Sequence, residues 1–421
     1  MDSPMEYLKE NQATLDAALS TAVGSMDEAA AAQQEKKAVR STWPAWFNAF
    51  KQVLPVYILL HLAFLILTYL SALFIIGNFS PRTLRISTLW LAWFRWDSGH
   101  FTAIASNGYD AAWRTAFFPL FPLLERGVAF LTHDPFIAGL IISNLAGLAM
   151  LVVLYRLVQE DFDAKRAFRT VLYLSVFPTA FFFVAAYNES LFLLLTLLSF
   201  YHMRRGNWWL AGLFGLLASL TRSVGIVLFL PFCYEYLRQH QFSIKKVRFT
   251  AVSSLAIPAG LAIFALYCYY KFHDPLSFSH AQVVWKRHLY APWSGLINSF
   301  GVIFNRHVLS FDSIHNVIDL SACLFILALV VLCFVGPWRF PRAYWVYGIY
   351  AVLIYIFLLL FPANGSAPLQ SYSRFVLEVF PAFIVLASIG KKQWFNLYYL
   401  VLSVSILSFM VLQFVTGRWI I

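Results

Sequence analysis

Three side chains able to take part in proton transfer, Asp97, His100 and Asp110, fall within one aromatic-rich stretch, RWDSGHFTAIASNGYDAAWRTAFFPLFPLL, from Arg95 to Leu124. The chain is 60% hydrophobic and only 12% charged. A carboxylate beside Trp96 is costly there, and an ionisable group at a membrane boundary is a functional candidate by default. The spacing predicts a short helix from Asp97: Phe101, Ile104 and Ala105 recur at helical intervals, and Asn107-Gly108 supplies a stop. Such a helix lies along the membrane surface, and its dipole favours an ionised Asp97 in the first turn. Two roles stay open for Asp97. It is a general base that takes the proton of an acceptor hydroxyl, or a carboxylate that only caps the helix. His100, one turn on, either orients Asp97 or is a surface histidine.

The elements that must position these groups are membrane helices. Mean hydropathy is +0.69, aromatic residues make up 18% of the 421 positions, and stretches of about 18–22 apolar residues, enough to span a bilayer, recur. The predicted fold is an all-α polytopic membrane protein of about eleven spans. Residues 1–45 read as a polar, Ala-rich cytoplasmic tail, and 46–421 as one membrane domain. The net charge of +11 is no nucleic-acid signal, because the Lys and Arg residues sit in short clusters between apolar segments, as the positive-inside rule requires. Lys36, Lys37, Arg40 and Lys51 place the N-terminus in the cytoplasm. The first loop, about 78–134, and a second long loop, about 271–312, then face outside or the lumen. Predicted spans include Val171–Ala186, Leu191–Met203, Trp208–Leu220, Val224–Leu237 and Ser373–Ile389. Several are short, and short helices meeting at polar tips suggest a cavity reaching into the bilayer.

That topology gathers Asp97, His100, Asn188, Glu189, Arg222, Gln282, Trp285, Lys286, Arg287 and Arg374 on one face. Arg222 and Arg374 end spans there; they either snorkel or meet a phosphate, for which the guanidinium fork is suited. Glu189 pairs with Arg222 or serves a substrate. Lys286 and Arg287 are solvated loop charges or phosphate ligands, and Trp285 and Trp293 are interfacial anchors or sugar contacts. Asn78-Phe79-Ser80, Asn188-Glu189-Ser190 and Asn364-Gly365-Ser366 match the glycosylation acceptor pattern, which is common by chance. Cys233, Cys268, Cys323 and Cys333 all lie in apolar segments and show neither metal nor disulfide spacing. No nucleotide fingerprint, metal cluster or internal repeat is visible, so no cofactor and no metal is expected. A transferase built this way needs an activated donor that reaches it from the membrane, and a lipid-phosphate sugar meets that need. Attack at its anomeric carbon requires a base for the incoming hydroxyl and cations for the leaving phosphate. A transporter or flippase of lipid-linked sugars, or an inert subunit of a glycosylation complex, is the alternative. Transporters commonly carry inverted repeats and midplane sites, whereas here the polar groups collect on one face.

RWDSGHFTAIASNGYD followed by AFFPLFPLL resembles the PIG-V family of mannosyltransferases. So do SVFPTAFFFVAAYNESLFLLLTLLSFYHMRRGNWWLAGLFGLLASLTRSVGIVLFLP and SRFVLEVFP, while HAQVVWKRHLYAPWSGL is similar to the second outer loop of bacterial members. The motifs occur in order across roughly residues 50–390. The resemblance implies a GT-C fold, with an acidic catalytic residue in the first outer loop, and inverting transfer from a polyprenyl-phosphate sugar, typically mannose. The acceptor would be a lipid-linked or surface-glycan hydroxyl. The resemblance carries the catalytic role to Asp97; His100 and Glu189 are candidates for catalytic support. Several bacterial relatives have an aromatic residue where this chain has His100. Phosphate or substrate binding is expected of Arg222, Arg374, Gln282, Trp285, Lys286, Arg287 and Asn188. The likeness is closer to the bacterial branch, which implies a plasma-membrane location, or the endoplasmic reticulum in a eukaryote.

Overall fold

The computed structural model describes residues 43–76, 85–305 and 311–418. Residues 1–42, most of the predicted tail, and the Asn78-Phe79-Ser80 pattern lie outside the described residues. The chain divides into two compact units, 1–52 and 53–421; of the first, only residues 43–52 are described.

The described residues fold into helices, beginning with α1 (Trp43–Ile76), α2 (Ile86–Leu91), α3 (Asp97–Asn107), α4 (Leu120–Thr132), α5 (Pro135–Asp161) and α6 (Ala164–Ser175). The middle of the chain holds α7 (Glu189–Met203), α8 (Trp208–Thr221), α9 (Phe229–Gln239), α10 (Ala256–Phe272), α11 (Ser277–His280) and α12 (Ser294–Asn305). Then follow α13 (Phe311–Leu332), α14 (Trp345–Leu359), α15 (Tyr372–Phe375), α16 (Phe380–Ile389) and α17 (Gln393–Val415). Among the described residues there is no strand, only a lone antiparallel bridge between Arg287 and Ala363.

Local chemistry sets the boundaries. The Asp134 side chain accepts from Phe136 N at 2.8 Å and Ile137 N at 3.4 Å to open α5, with Pro135 in its first turn. Asp163 accepts from Arg166 N at 2.7 Å to open α6. Gly108, at φ +74°, closes α3 where Asn107-Gly108 was expected to stop it.

Among the described residues, six helical runs are long and apolar enough to cross a membrane: Trp43–Leu73, Pro135–Asp161, Phe249–Phe272, Ser313–Leu332, Arg342–Leu359 and Gln393–Val415. Tyr372–Glu378 and Phe380–Ile389 make a seventh if their 83° bend is read as one broken span. The protein is an all-α polytopic membrane protein. The count differs from the expected total of about eleven, and the physical reason lies in buried irregular backbone. Val171–Ala186 is not a span: α6 ends at Ser175, and buried turns and a 3₁₀ segment, Ala180–Phe183, carry the chain to Glu189. Val224–Leu237 likewise begins as a 3₁₀ turn, Ser223–Leu228, before α9.

Non-helical backbone at such depth must find its hydrogen bonds within the protein. Here it does. Ser143 Oγ donates to Tyr187 O at 2.8 Å, Asn144 Nδ2 to Val184 O at 3.0 Å and Ser190 Oγ to Phe183 O at 2.7 Å. Around this segment Phe64, Trp93, Phe136, Phe181, Phe182, Tyr187, Met410 and Phe414 form one buried cluster.

Two ionic groups mark the two ends of α7. Glu189 begins it, and past its other end Arg204 meets Asp161 and Glu235, each at 2.9 Å. Tyr347 Oη donates to the same Asp161 at 2.6 Å. The 15 residues of α7 span about 22 Å at 1.5 Å each, less than the ~30 Å hydrocarbon core.

Candidate active site

The first loop is fixed before any charged group is considered. Trp96 adopts φ +42°, ψ −109°, a strained conformation for a bulky residue that persists only where its surroundings over-determine it. They do so here: Tyr187 Oη donates to Arg95 O at 3.0 Å, Arg95 Nη2 donates to Val415 O at 2.9 Å, and the Trp96 ring packs 5.2 Å from Phe414. The outcome is that Asp97 starts α3 with its carboxylate facing a cavity of about 500 Å³.

Into that cavity converge Asp97, Asn188, Arg222, Gln282, Trp285, Arg287 and Arg374. Seven of the ten side chains singled out in the sequence therefore share one space, although they come from five separate parts of the chain. Glu189 sits just behind the wall, fully buried. His100 does not line the cavity; its ring packs against Trp113, Phe117 and Trp285 at 5.3, 4.8 and 6.3 Å. Burial lowers the His100 pKa, opposed by the nearby Asp97 charge, so it is a neutral aromatic filler at neutral pH. Lys286 is exposed and adopts φ +56°, which turns the chain so that Arg287 faces inward. Asn188 is buried and committed to the protein: it donates to Thr221 O and accepts from Arg222, both at 3.0 Å.

The charges form a chain of pairs. Arg374 donates to Asp97 Oδ2 at 2.6 Å and to Glu189 Oε1 at 2.5 Å. Arg222 donates to the same Glu189 Oε1 at 2.8 Å, the pairing considered from sequence, and lies 3.0 Å from Glu378 Oε1. Glu378 was not singled out in the sequence. Its signal was a carboxylate inside the apolar run SRFVLEVFP, and the structure buries it. Asp319 was missed for the same reason; its Oδ1 accepts from Ser373 N at 2.9 Å. Together with the left-handed Ser371, at φ +66°, it turns α15 so that Arg374 enters the site.

Arg287 stands apart. Among the described residues no carboxylate lies within ion-pair distance of it; its Nη2 donates to Gln370 O at 2.8 Å. Its guanidinium lies 5.1 Å from the Phe375 ring, which Arg222 and Arg374 also approach, at 5.0 and 5.5 Å. Burial, then repulsion from Arg374, brings its pKa down to about 10, so it is a cation at neutral pH. The arrangement offers a partly exposed carboxylate on one wall, a cation without a carboxylate partner on another, and an apolar side formed by Ile226, Leu261, Phe357, Leu358 and Phe361. Among the described residues no three His, Cys, Asp or Glu side chains gather into a metal-ligand group.

Residues 85–286 match the family described as Mannosyltransferase (PIG-V). Over that segment the chain is similar to the PIG-V family. A protein named GPI mannosyltransferase 2, from Cryptococcus neoformans var. neoformans serotype D, is 35% identical over 144 residues, 31% of this chain and 34% of that one. GPI alpha-1,6-mannosyltransferase 2 of Rattus norvegicus is 31% identical over 211 residues, 44% of this chain and 42% of that one. The matches thus span between a third and a half of these relatives' own lengths. In structure the chain is similar to ArnT from Cupriavidus metallidurans bound to undecaprenyl phosphate, with a TM-score of 0.49, 13% identity, and coverage of 79% of this chain and 76% of that one. The PIG-V segment contains Asp97, Asn188, Glu189, Arg222, Gln282 and Trp285. Arg287 and Arg374 lie beyond it, yet line the same cavity, and Glu378, also beyond it, pairs with the cavity-lining Arg222.

Proposed function

We propose that this protein is a mannosyltransferase of GT-C type. It moves a mannosyl group from a polyprenyl-phosphate donor to a hydroxyl of a lipid-linked or glycan acceptor, with inversion. The observation that carries the reading is the sharing of one cavity by the Asp97 carboxylate and the carboxylate-free Arg287 guanidinium. In the reaction the acceptor oxygen bonds to the anomeric carbon as the bond from that carbon to the phosphate oxygen breaks. The acceptor proton passes to Asp97, and the bonding pair leaves with the polyprenyl phosphate, whose charge Arg287 faces. Arg374 holds the Asp97 carboxylate aimed. Glu189 in turn holds Arg374 and Arg222, so those two arginines act first as scaffold, and Arg287 is the leading phosphate ligand. The apolar wall suits an isoprenoid chain. The match of residues 85–286 to the PIG-V family supports mannose as the sugar. The basic pairs that follow α7 and α9 support a cytoplasmic placing of the Arg204 end and an outer or luminal placing of the site.

The test is transfer by the purified protein from a panel of synthetic polyprenyl-phosphate sugars, with products identified by mass spectrometry. Inverted mannosyl transfer is expected. A protein that binds the donor and moves it across vesicles without transfer would overturn the reading in favour of a flippase.

A further inference from the structure

One wall of the cavity is a single short segment. Leu276, Phe278, Ser279, Gln282 and Trp285 all line it, Leu276 just before α11, Phe278 and Ser279 on it, and Gln282 and Trp285 on the 3₁₀ turn Ala281–Trp285 that continues it. In a 3₁₀ helix residues three apart eclipse one another, so Gln282 and Trp285 point the same way. Among the described residues, the side chains of Ser279, Gln282 and Trp285 make no hydrogen bond to another protein group. Asn188, on the far wall, has both ends of its carboxamide engaged. The Trp285 ring is held from behind by Phe117, Trp113 and His100, at 5.5, 6.3 and 6.3 Å, and Thr115 Oγ1 donates to Ser277 Oγ at 3.1 Å to tie this wall to the first loop. A hydroxyl, a carboxamide and a fixed indole, all unspent and facing one space, make a surface with both donors and acceptors beside an apolar plate. That chemistry complements a pyranose ring, whose hydroxyls lie around its edge and whose C–H groups form its faces. Two residues after Trp285, Arg287 faces the same cavity, so one short segment offers a sugar surface and a phosphate ligand side by side.

The geometry points to Ser279, Gln282 and Trp285 as a hexose-binding strip. This assignment rests on the glycosyltransferase reading, and the strip holds either the donor's mannosyl group or the acceptor's sugar. The test measures binding of three probes to the full chain in detergent: polyprenyl phosphate, polyprenyl-phosphate mannose and octyl α-mannopyranoside. The proteins compared are wild type, Gln282→Ala, Trp285→Ala and Trp285→Phe. Wild type should bind a mannose-bearing probe better than its sugar-free counterpart, polyprenyl phosphate or octanol. Gln282→Ala and Trp285→Ala should each weaken that advantage about tenfold, the effect of about 1.4 kcal/mol, leaving polyprenyl phosphate affinity unchanged, and Trp285→Phe should keep most of it. Loss on polyprenyl-phosphate mannose places the donor sugar on the strip; loss on octyl α-mannopyranoside places the acceptor there. A mannose advantage that persists in both alanine variants overturns the strip while sparing the glycosyltransferase reading. A wild type that binds none of the three probes overturns that reading, and the strip with it. Should Trp285→Ala unfold, Gln282→Ala decides, because its side chain holds no described protein group.

Discussion

Arg374 and Asp97, 277 positions apart, meet at 2.6 Å, and the same guanidinium grips the buried Glu189 at 2.5 Å. The proposed base is therefore supported by a cation that is itself clamped from behind. A base so held is pre-aimed.

Asp97→Asn keeps an acceptor for Arg374 but cannot take a proton. Turnover should fall by about 10²–10⁴-fold, the usual contribution of general-base catalysis, while donor affinity changes far less. Transfer rate, donor binding and thermal unfolding in detergent check this together. Near-normal turnover would make the carboxylate structural.

The arginines should separate by phenotype. Arg374→Ala leaves Glu189 short of a partner and Asp97 without its cation, so it should cost about 3–5 kcal/mol of stability, as expected for breaking a buried pair. Arg287→Ala breaks no ion pair among the described residues and should unfold near the wild-type temperature, yet bind polyprenyl phosphate at least about tenfold more weakly. Arg287→Lys should restore this only in part, since it lacks the fork. Equal stability losses in both would show that Arg287 is structural.

Glu125, on α4, should give stability a pH dependence. It is fully buried, among the described residues neither carboxyl oxygen has a hydrogen-bond partner, and burial raises its pKa to about 9. An unfolded glutamate titrates near 4.3. Between those values the folded state holds a proton that the unfolded state has lost, so stability falls as pH rises, by up to about 1.4 kcal/mol per unit. Glu125→Gln should remove that slope, matching wild type near pH 5 and exceeding it near pH 8. Unfolding midpoints at both pH values decide; parallel curves would sink the assignment. Gly139→Ala would set a Cβ 2.2 Å from Glu125 Oε1 and should destabilise at every pH.

Orientation is checked by single cysteines at Ser366 and Asn207, both exposed. An impermeant thiol reagent should label the first in intact cells and the second only after permeabilisation. Labelling of both from one side would reverse the proposed placing of the site.

The fold class and the first loop were legible because they depend on local signals: long apolar runs, a helix start at Asp97 and the Asn107-Gly108 stop. The span count was not. Hydropathy cannot tell Val171–Ala186 from a membrane helix, since a buried turn packed with Phe181, Phe182 and Phe183 is as apolar as a lipid-facing one. Arg222 and Glu189 were close enough in pattern to suggest their pair. Glu378 was passed over because its partner lies 156 positions away (378 − 222), and the inward turn of Arg287 depends on a left-handed Lys286 and a bridge to Ala363.

Arg374 and Glu378 are among the last parts of the site to be synthesised. While the chain is inserted from its N-terminus, Glu189 has Arg222 alone for company, and Asp97 has no cation until α15 arrives. Until then the chain carries these carboxylates without their full counter-charges, and a buried charge that lacks its partner is costly. Docking of α15 removes that cost in the same step that aims Asp97, so one helix both neutralises the buried charges and completes the site.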